Sequence, residues 1–193
     1  MKQKKLIIFM PSIEGGGVEK NLFIISNYLV KKLKSLSIIT SDKNKIRKKN
    51  NKIQILTHDK YFPLKNIRFP KYIICLILLL KEIIINKEII VLSFQANLYA
   101  ILLCKIFGIK IIVRSNSSSS VWASNILKIT IFKFILKLAD KIIVNSNDLK
   151  KEFFKKFKVS AFLIFNPLNV KEIKNFSKKN IRRNFFQSNK EDL

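Results

Sequence analysis

At 193 residues the chain has the length of one domain and can bury roughly 70% of the surface its unfolded form exposes. Hydrophobic residues are 48% and charged residues 26%, which excludes a wholly disordered or collagen-like chain. The 38 Lys+Arg against 12 Asp+Glu leave +26, a balance suited to phosphate-rich partners or an anionic membrane surface. All but five of those cations are lysine, and beside abundant Ile and Asn they fit an A/T-rich codon bias as well.

Basic residues open the chain, but the apolar stretch 6–10 is too short for a signal-peptide core and runs into Pro11 and a glycine cluster. It reads as a first strand, 5–10. Val18, Leu22, Ile25 and Leu29 then recur at helical spacing and predict a helix over 18–33. Strands follow at 36–40 and 52–56, separated by a solvated Lys/Asn connector at 43–52. His58 comes next in a polar loop. As the sole histidine it excludes a zinc site built on His/Cys pairs and leaves a Ser-His-Asp or Cys-His mechanism resting on one residue.

A helix is predicted over 66–82; its apolar run 72–80 is well short of the ~18 residues that cross a bilayer. Then come strand 89–93, helix 95–107, strand 110–114, a polar loop at 117–120, helix 122–139, strand 141–145, helix 147–157 with Asn147 and Asp148 as suitable caps, and strand 161–165. Cys75 and Cys104 each lie inside an apolar run, as small buried hydrophobes and not as a disulfide or metal pair, so a reducing, cytoplasmic setting is the default. This alternation is the pattern of α/β proteins, with a Rossmann-like, mostly parallel sheet flanked by helices. Residues 1–170 form the expected domain. Residues 171–193 form a polar basic tail in which Ile173 and Phe176 mark a helical turn or two, as though a domain boundary had just been crossed.

Three of the four glycines are consecutive: Gly15, Gly16 and Gly17. Between a strand and a helix, bare backbone can turn sharply and let a ligand approach main-chain N–H groups. The first turn of the helix would direct unpaired donors and partial positive charge at an anion such as a diphosphate. The same glycines would equally make a flexible βα turn. A Walker loop has no G-K-[ST] continuation here, and the dinucleotide pattern G-x-G-x-x-G begun at Gly15 meets Lys20 at its third glycine. Glu19, in the first helical turn, is explained by the helix dipole alone, worth about 0.3–1 kcal/mol.

The run from Phe9 through Pro11, Glu14, Gly15, Gly16, Gly17, Val18 and Glu19 to Asn21 resembles the opening of glycosyltransferase family 4, nucleotide-sugar-dependent enzymes of the GT-B fold. Downstream, Leu92-Ser93-Phe94-Gln95 resembles the end of that family's fourth strand, Ile112-Val113-Arg114-Ser115-Asn116 its fifth-strand turn, Ala139 to Ser146 its sixth strand, and Asn166-Pro167 its interdomain hinge. The match covers almost the whole chain in order, but only the first, acceptor-side half of a typical member. The resemblance implies one half of a GT-B fold and a retaining, hexosyltransferase-type reaction that moves a sugar from a nucleotide-sugar donor to a glycan or lipid-linked acceptor in polysaccharide or glycoconjugate assembly. It implies no metal and no cofactor. Gly15, Gly16 and Gly17 would lie beside the donor diphosphate; Gln95, Arg114 and Asn116 are candidate catalytic groups; Asn97 and Ser115 would contact the acceptor.

Arg114 ends an apolar strand, where its planar fork can bind phosphate or carboxylate or make a salt bridge. Gln95 and Asn97 can contact a sugar or cap a helix. Many family members carry histidine where Gln95 or Ser115 stands. The family's donor-binding half, with its E-x7-E element, has no counterpart in these residues, so a separate C-terminal half, a truncation or a relic is expected. Lys128, Lys133, Lys137 and Lys141 recur beside Ile129, Phe132, Ile135, Leu136 and Leu138 as a basic amphipathic helix, suited either to an anionic membrane at the inner face or to ordinary packing on a sheet. A catalytically inactive basic module binding membrane or nucleic acid is the competing class. For nucleic acid, no recognition helix, aromatic platform or zinc module supports the charge.

Overall fold

The computed structural model describes residues 5–46, 50–58, 68–118 and 125–177. Seven strands, β1 Lys5–Phe9, β2 Leu36–Ile39, β3 Ile53–Leu56, β4 Ile89–Ser93, β5 Lys110–Ser115, β6 Lys141–Val144 and β7 Phe162–Leu163, form one sheet in the order β3-β2-β1-β4-β5-β6-β7. Every pairing is parallel. This is the α/β, Rossmann-like sheet that the alternation predicts. The helices are α1 Gly17–Leu29, α2 Arg68–Ile85, α3 Asn97–Ile106, α4 Ile126–Lys137, α5 Asn147–Phe157 and α6 Val170–Ser177, with a short 3-10 turn at Lys43–Lys45. Parts of the predicted helices 66–82 and 122–139 lie outside the described residues. Helix α6 begins before residue 171 and runs past it, into the segment expected to be a tail. Among the described residues no helix is long and apolar enough to cross a membrane.

Strand side chains alternate between two cores. Ile7 and Phe9 enter one, Ile8 and Met10 the other, and all four are fully buried. One face receives α1 through Leu22, with Leu36, Ile38 and Leu92 from the strands. The opposite face receives α2 through Cys75, Leu79 and Ile83, α3 through Ala100, Ile101 and Cys104, and α5 through Phe153 and Phe157. Burial on both faces is why β1 after Lys5 reads as an unbroken apolar run and not as an alternating one. It also pushes the Cys75 thiol up to about 11 and the Cys104 thiol up to about 12, leaving both as apolar filler.

Local signals end the helices. Gly108, at φ +67°, closes α3: its N–H donates to Lys105 O and that of Ile109 to Cys104 O, the paired bonds of a Schellman turn. On α5 the cap is one residue earlier than expected: Ser146 Oγ, and neither Asn147 nor Asp148, accepts from Leu149 N at 3.2 Å. The serine lies outside the first helical turn with extended backbone, where its hydroxyl can reach back to the orphan N–H. Asp140 joins α3 to β5, its Oδ2 accepting from Lys105 Nζ at 2.5 Å and from Ile111 N at 2.7 Å.

Two stability outcomes follow. Phe153 and Phe157 meet edge to face, centroids 5.5 Å apart and both within the core. Phe153→Ala is expected to cost about 3–5 kcal/mol by lost burial and an unfilled void, read as a lowered urea midpoint. Burial pushes the Asp140 carboxyl up, but the Lys105 ammonium and the Ile111 N–H outweigh it and hold the group below the usual carboxylate value. Because the folded value is the lower one, the stabilisation is complete above about pH 4 and is lost as pH falls through the folded value. The urea midpoint should therefore drop on acidification below about pH 4, and Asp140→Asn should flatten part of that drop.

Candidate functional site

Winding direction changes between β1 and β4. From β1 the chain moves to β2 and β3 on one side; from β4 it moves to β5, β6 and β7 on the other. The connections leaving β1 and β4 therefore part in opposite directions, and such a switch point is where open α/β sheets bind ligands. A cavity of about 790 Å³ occupies this position, lined by Gly15, Gly16 and Gly17 from the β1–α1 turn, by Gln95 and Asn97 from the β4–α3 turn, and by Arg114, Ser115 and Asn116 from the end of β5. The structure thus brings all eight predicted site residues to one wall-to-wall space. A smaller recess of about 340 Å³, beside Lys150, Phe154 and Ala161, holds none of them. His58 is exposed and does not line the cavity.

The glycines differ in what holds them. Gly15 takes φ +93°, a left-handed conformation that a side chain would strain. Gly16 is the N-cap of α1 in extended backbone, and a Cβ there would sit 3.1 Å from Glu19 Oε2. Gly17 is neither strained nor crowded: a Cβ would meet nothing within 4 Å. Glu19 is buried and reaches back so that its Oε1 accepts from Glu14 N at 3.1 Å. It therefore closes the turn as well as lying at the positive end of the helix.

No side chain caps the N-terminus of α1. The same is true of α3, whose N-cap Ala96 is held at φ 52°, a conformation uncommon for a residue with a Cβ. Gln95 and Asn97, which sequence reasoning allowed as helix caps, do not cap. Away from the cavity, Asn125 and Ser146 cap α4 and α5 with side-chain oxygens. Among the α-helices whose N-caps are described, α1 and α3 are thus the two whose first-turn N–H groups are left without a side-chain cap; both begin at the cavity, and both dipoles enter it from their positive ends.

The predicted polar residues are built into the frame. Gln95 Oε1 accepts from Ser12 N at 3.0 Å, bridging the exits of β1 and β4. Asn97 accepts from Ser93 Oγ at 2.7 Å and donates through Nδ2 to Arg114 O at 3.1 Å. Arg114 is only 2% exposed. Its guanidinium donates to Asn116 Oδ1 at 3.3 Å, Ile164 O at 3.1 Å and Asn166 Oδ1 at 3.0 Å. It thus ties β5 to the segment after β7 through neutral acceptors, in place of the carboxylate a salt bridge would need, and burial lowers its proton affinity. Ser115 Oγ turns to Ser117 O at 3.4 Å. Asn116 Nδ2 is buried without an acceptor, an unpaired donor beside the cavity.

Sequence reasoning missed a second set. Asp42, just after β2, accepts from Ile13 N at 2.9 Å and from Lys71 Nζ at 2.9 Å with each carboxylate oxygen. Lys71 is 6% exposed and continues the buried stripe Cys75, Leu79, Ile83 by one helical step of four. That step is the signal that could have revealed it: a lysine in core register requires a buried anion. Arg68 grips Glu14 with two bonds, Nε to Oε1 at 2.7 Å and Nη2 to Oε2 at 2.5 Å. The guanidinium holds the Glu14 carboxyl below its usual value. Both residues line the cavity with Tyr72 and Tyr99.

No protein-family model matches the chain, and no curated protein matches it by sequence. Solved structures do. The Anabaena protein HepE, in complex with UDP and glucose, superposes with a TM-score of 0.63 at 12% identity, over 87% of this chain and 46% of its own. The lipopolysaccharide outer core galactosyltransferase WaaB, in its apo form, gives 0.58 at 15%, over 86% and 46%. A glycosyltransferase from Rickettsia africae gives 0.52 at 17%, over 95% and 51%. The likeness is one of fold, and the chain spans about half the length of each of these structures.

Asp42→Ala would leave the Lys71 ammonium buried and unpaired, at an expected cost of about 3–5 kcal/mol. Asp42→Ala with Lys71→Met should recover much of that loss. Chemical denaturation of the four proteins of this cycle measures the coupling.

Proposed function

We propose that the chain is the acceptor-side half of a glycosyltransferase that moves a sugar from a nucleotide-sugar donor to a hydroxyl acceptor, with a second Rossmann-like half completing the cleft. The observation that carries this reading is the pair of helix N-termini without side-chain caps that open onto one cavity at the reversal of strand order. Among the described residues the charged ones lining that cavity are Glu14, Glu19, Arg68 and Arg114, which balance, so the oriented N–H groups and the two dipoles decide its preference for an anion. The fold likeness to proteins solved with UDP and glucose or named as glycosyltransferases supports the same assignment.

In this reading the Gly15–Gly17 turn sits beside the diphosphate. Its N–H groups and the first turn of α1 stabilise negative charge as the sugar–phosphate bond breaks, fixed in place before the reaction begins. Asp42 and Glu19 serve as positioning residues, because each holds one backbone N–H of the loop that leads into the turn. Gln95 and Asn97 set the spacing between the β1, β4 and β5 exits. Tyr72 and Tyr99 offer aromatic faces, and the Glu14–Arg68 pair offers polar edges, to the acceptor sugar. The acceptor is a glycan or a lipid-linked saccharide, and transfer uses neither a metal nor a prosthetic group.

Titration of the nitrogen-15-labelled chain with UDP, followed by amide NMR, tests the phosphate seat. Resonances of Gly15, Gly16 and Gly17 should move with UDP and stay in place with uridine. Equal shifts with uridine, or shifts confined to other residues, would overturn the assignment. Gly17→Val is the informative variant, because the Cβ it adds meets nothing within 4 Å. It should leave the urea midpoint nearly unchanged yet weaken UDP at least about tenfold, the equivalent of roughly 1.4 kcal/mol. A variant at Gly16 would also push on the Glu19 carboxylate.

A further inference from the structure

Helix α4 has two working faces. Phe132 and Leu136 on one side line the cavity. On the other, Leu127, Ile131, Phe134 and Leu138 stand 67%, 46%, 64% and 48% exposed. At 100° per residue these four project within about 60° of one another, an unbroken apolar stripe. Lys128 and Lys137, both exposed, flank the stripe at roughly 100° on one side and 80° on the other. Helix α3, packed against α4, adds Leu102 and Ile106 at the spacing i, i+4, exposed 40% and 76%. Two adjacent helices therefore present apolar side chains to solvent on the outer side of the same layer, where soluble surfaces ordinarily carry polar ones.

Charge identifies the occupant. A second copy of the chain would bring its own +26 to the contact and be repelled. Nucleic acid matches the lysines but offers nothing to an exposed stripe of Leu, Ile and Phe. An anionic bilayer matches both, with apolar side chains seated at the acyl boundary and lysines reaching the head groups from either flank.

We infer that the outer face of α4, extended by α3, docks on an anionic lipid surface, so that the cavity opens beside the bilayer and the acceptor saccharide is carried on a membrane lipid. Docking stands on the surface alone; the nature of the acceptor rests on the glycosyltransferase reading. Because Phe132 and the Leu127–Ile131–Phe134–Leu138 stripe belong to one helix, the distance from bilayer to cavity is about one helix diameter, roughly 10 Å. A saccharide head group on an anchored lipid spans that distance.

Flotation of the 193-residue chain with vesicles of phosphatidylcholine alone, or of equal parts phosphatidylcholine and phosphatidylglycerol, tests the inference. The chain should float with the mixed vesicles and stay behind with the neutral ones. Lys128→Gln with Lys137→Gln should weaken partitioning about 25-fold, fivefold for each lysine at such a surface. Ile131→Asn with Phe134→Asn should abolish the binding that survives at high salt, while circular dichroism confirms that the fold is kept. Failure to float with mixed vesicles, equal flotation with neutral ones, or wild-type partitioning by both double variants would overturn docking, as would a stable dimer in sedimentation that disappears in Ile131→Asn/Phe134→Asn. The UDP titration is read without lipid. Loss of the UDP shifts with flotation intact would defeat the transferase reading alone, and loss of flotation with the shifts intact would defeat the membrane inference alone.

Discussion

The molecule is organised by the reversal of its winding between β1 and β4. Right-handed crossovers carry α1 to one face of the sheet and α2, α3, α4 and α5 to the other, because the first connection moves toward β3 and the later ones toward β7. The carboxyl ends of β1 and β4 are therefore neighbours whose outgoing loops part in opposite directions. Space is left between them, and the backbone donors of two helix starts enter it. A sheet that wound in one direction only would cover this point with its own connections.

A crevice formed by parting loops has to be held open, and the polar network does this from both sides. Asp42 fixes the β1 exit by gripping Ile13 N and the Lys71 ammonium of α2. Arg114 fixes the β5 exit by donating to three neutral acceptors, two of them after β7. Gln95 spans the gap between the β1 and β4 loops. Lys71 and Arg114 are buried, and Asp42 and Gln95 partly so, so leaving a buried one unmatched would be a liability of several kcal/mol. Among the described residues, groups left unmatched lie at the cavity itself: the uncapped starts of α1 and α3 and the amide of Asn116. Stability is concentrated in the frame, and binding capacity in the donors that the frame leaves free.

Net charge and local charge tell different stories. Among the described residues the cavity is lined by two acidic and two basic side chains, which add nothing to the large positive excess of the chain. On α4 it borders a solvent-facing apolar stripe, and the combination carries more information than either part. Lysines alone are what biased codon use would scatter over any surface; exposed Leu, Ile and Phe in helical register beside them are not.

Most of the fold was legible in the order of residues. Strands buried on both faces must be largely apolar, and helices that cover them must repeat every three to four residues, so both kinds of element could be located along the chain. The glycine turn was legible too, because a residue without a side chain takes the left-handed conformation of Gly15 at least cost. What the polar side chains do was decided in three dimensions. Arg114 meets Ile164 and Asn166, some fifty positions away, and Asp42 meets Lys71 across 29. Asn147 loses the cap of α5 to Ser146, whose hydroxyl is one residue better placed. Linear order records whether a residue tolerates burial. Which partner makes burial tolerable depends on strands brought together from distant parts of the chain, and that is settled only when the sheet closes in its final order.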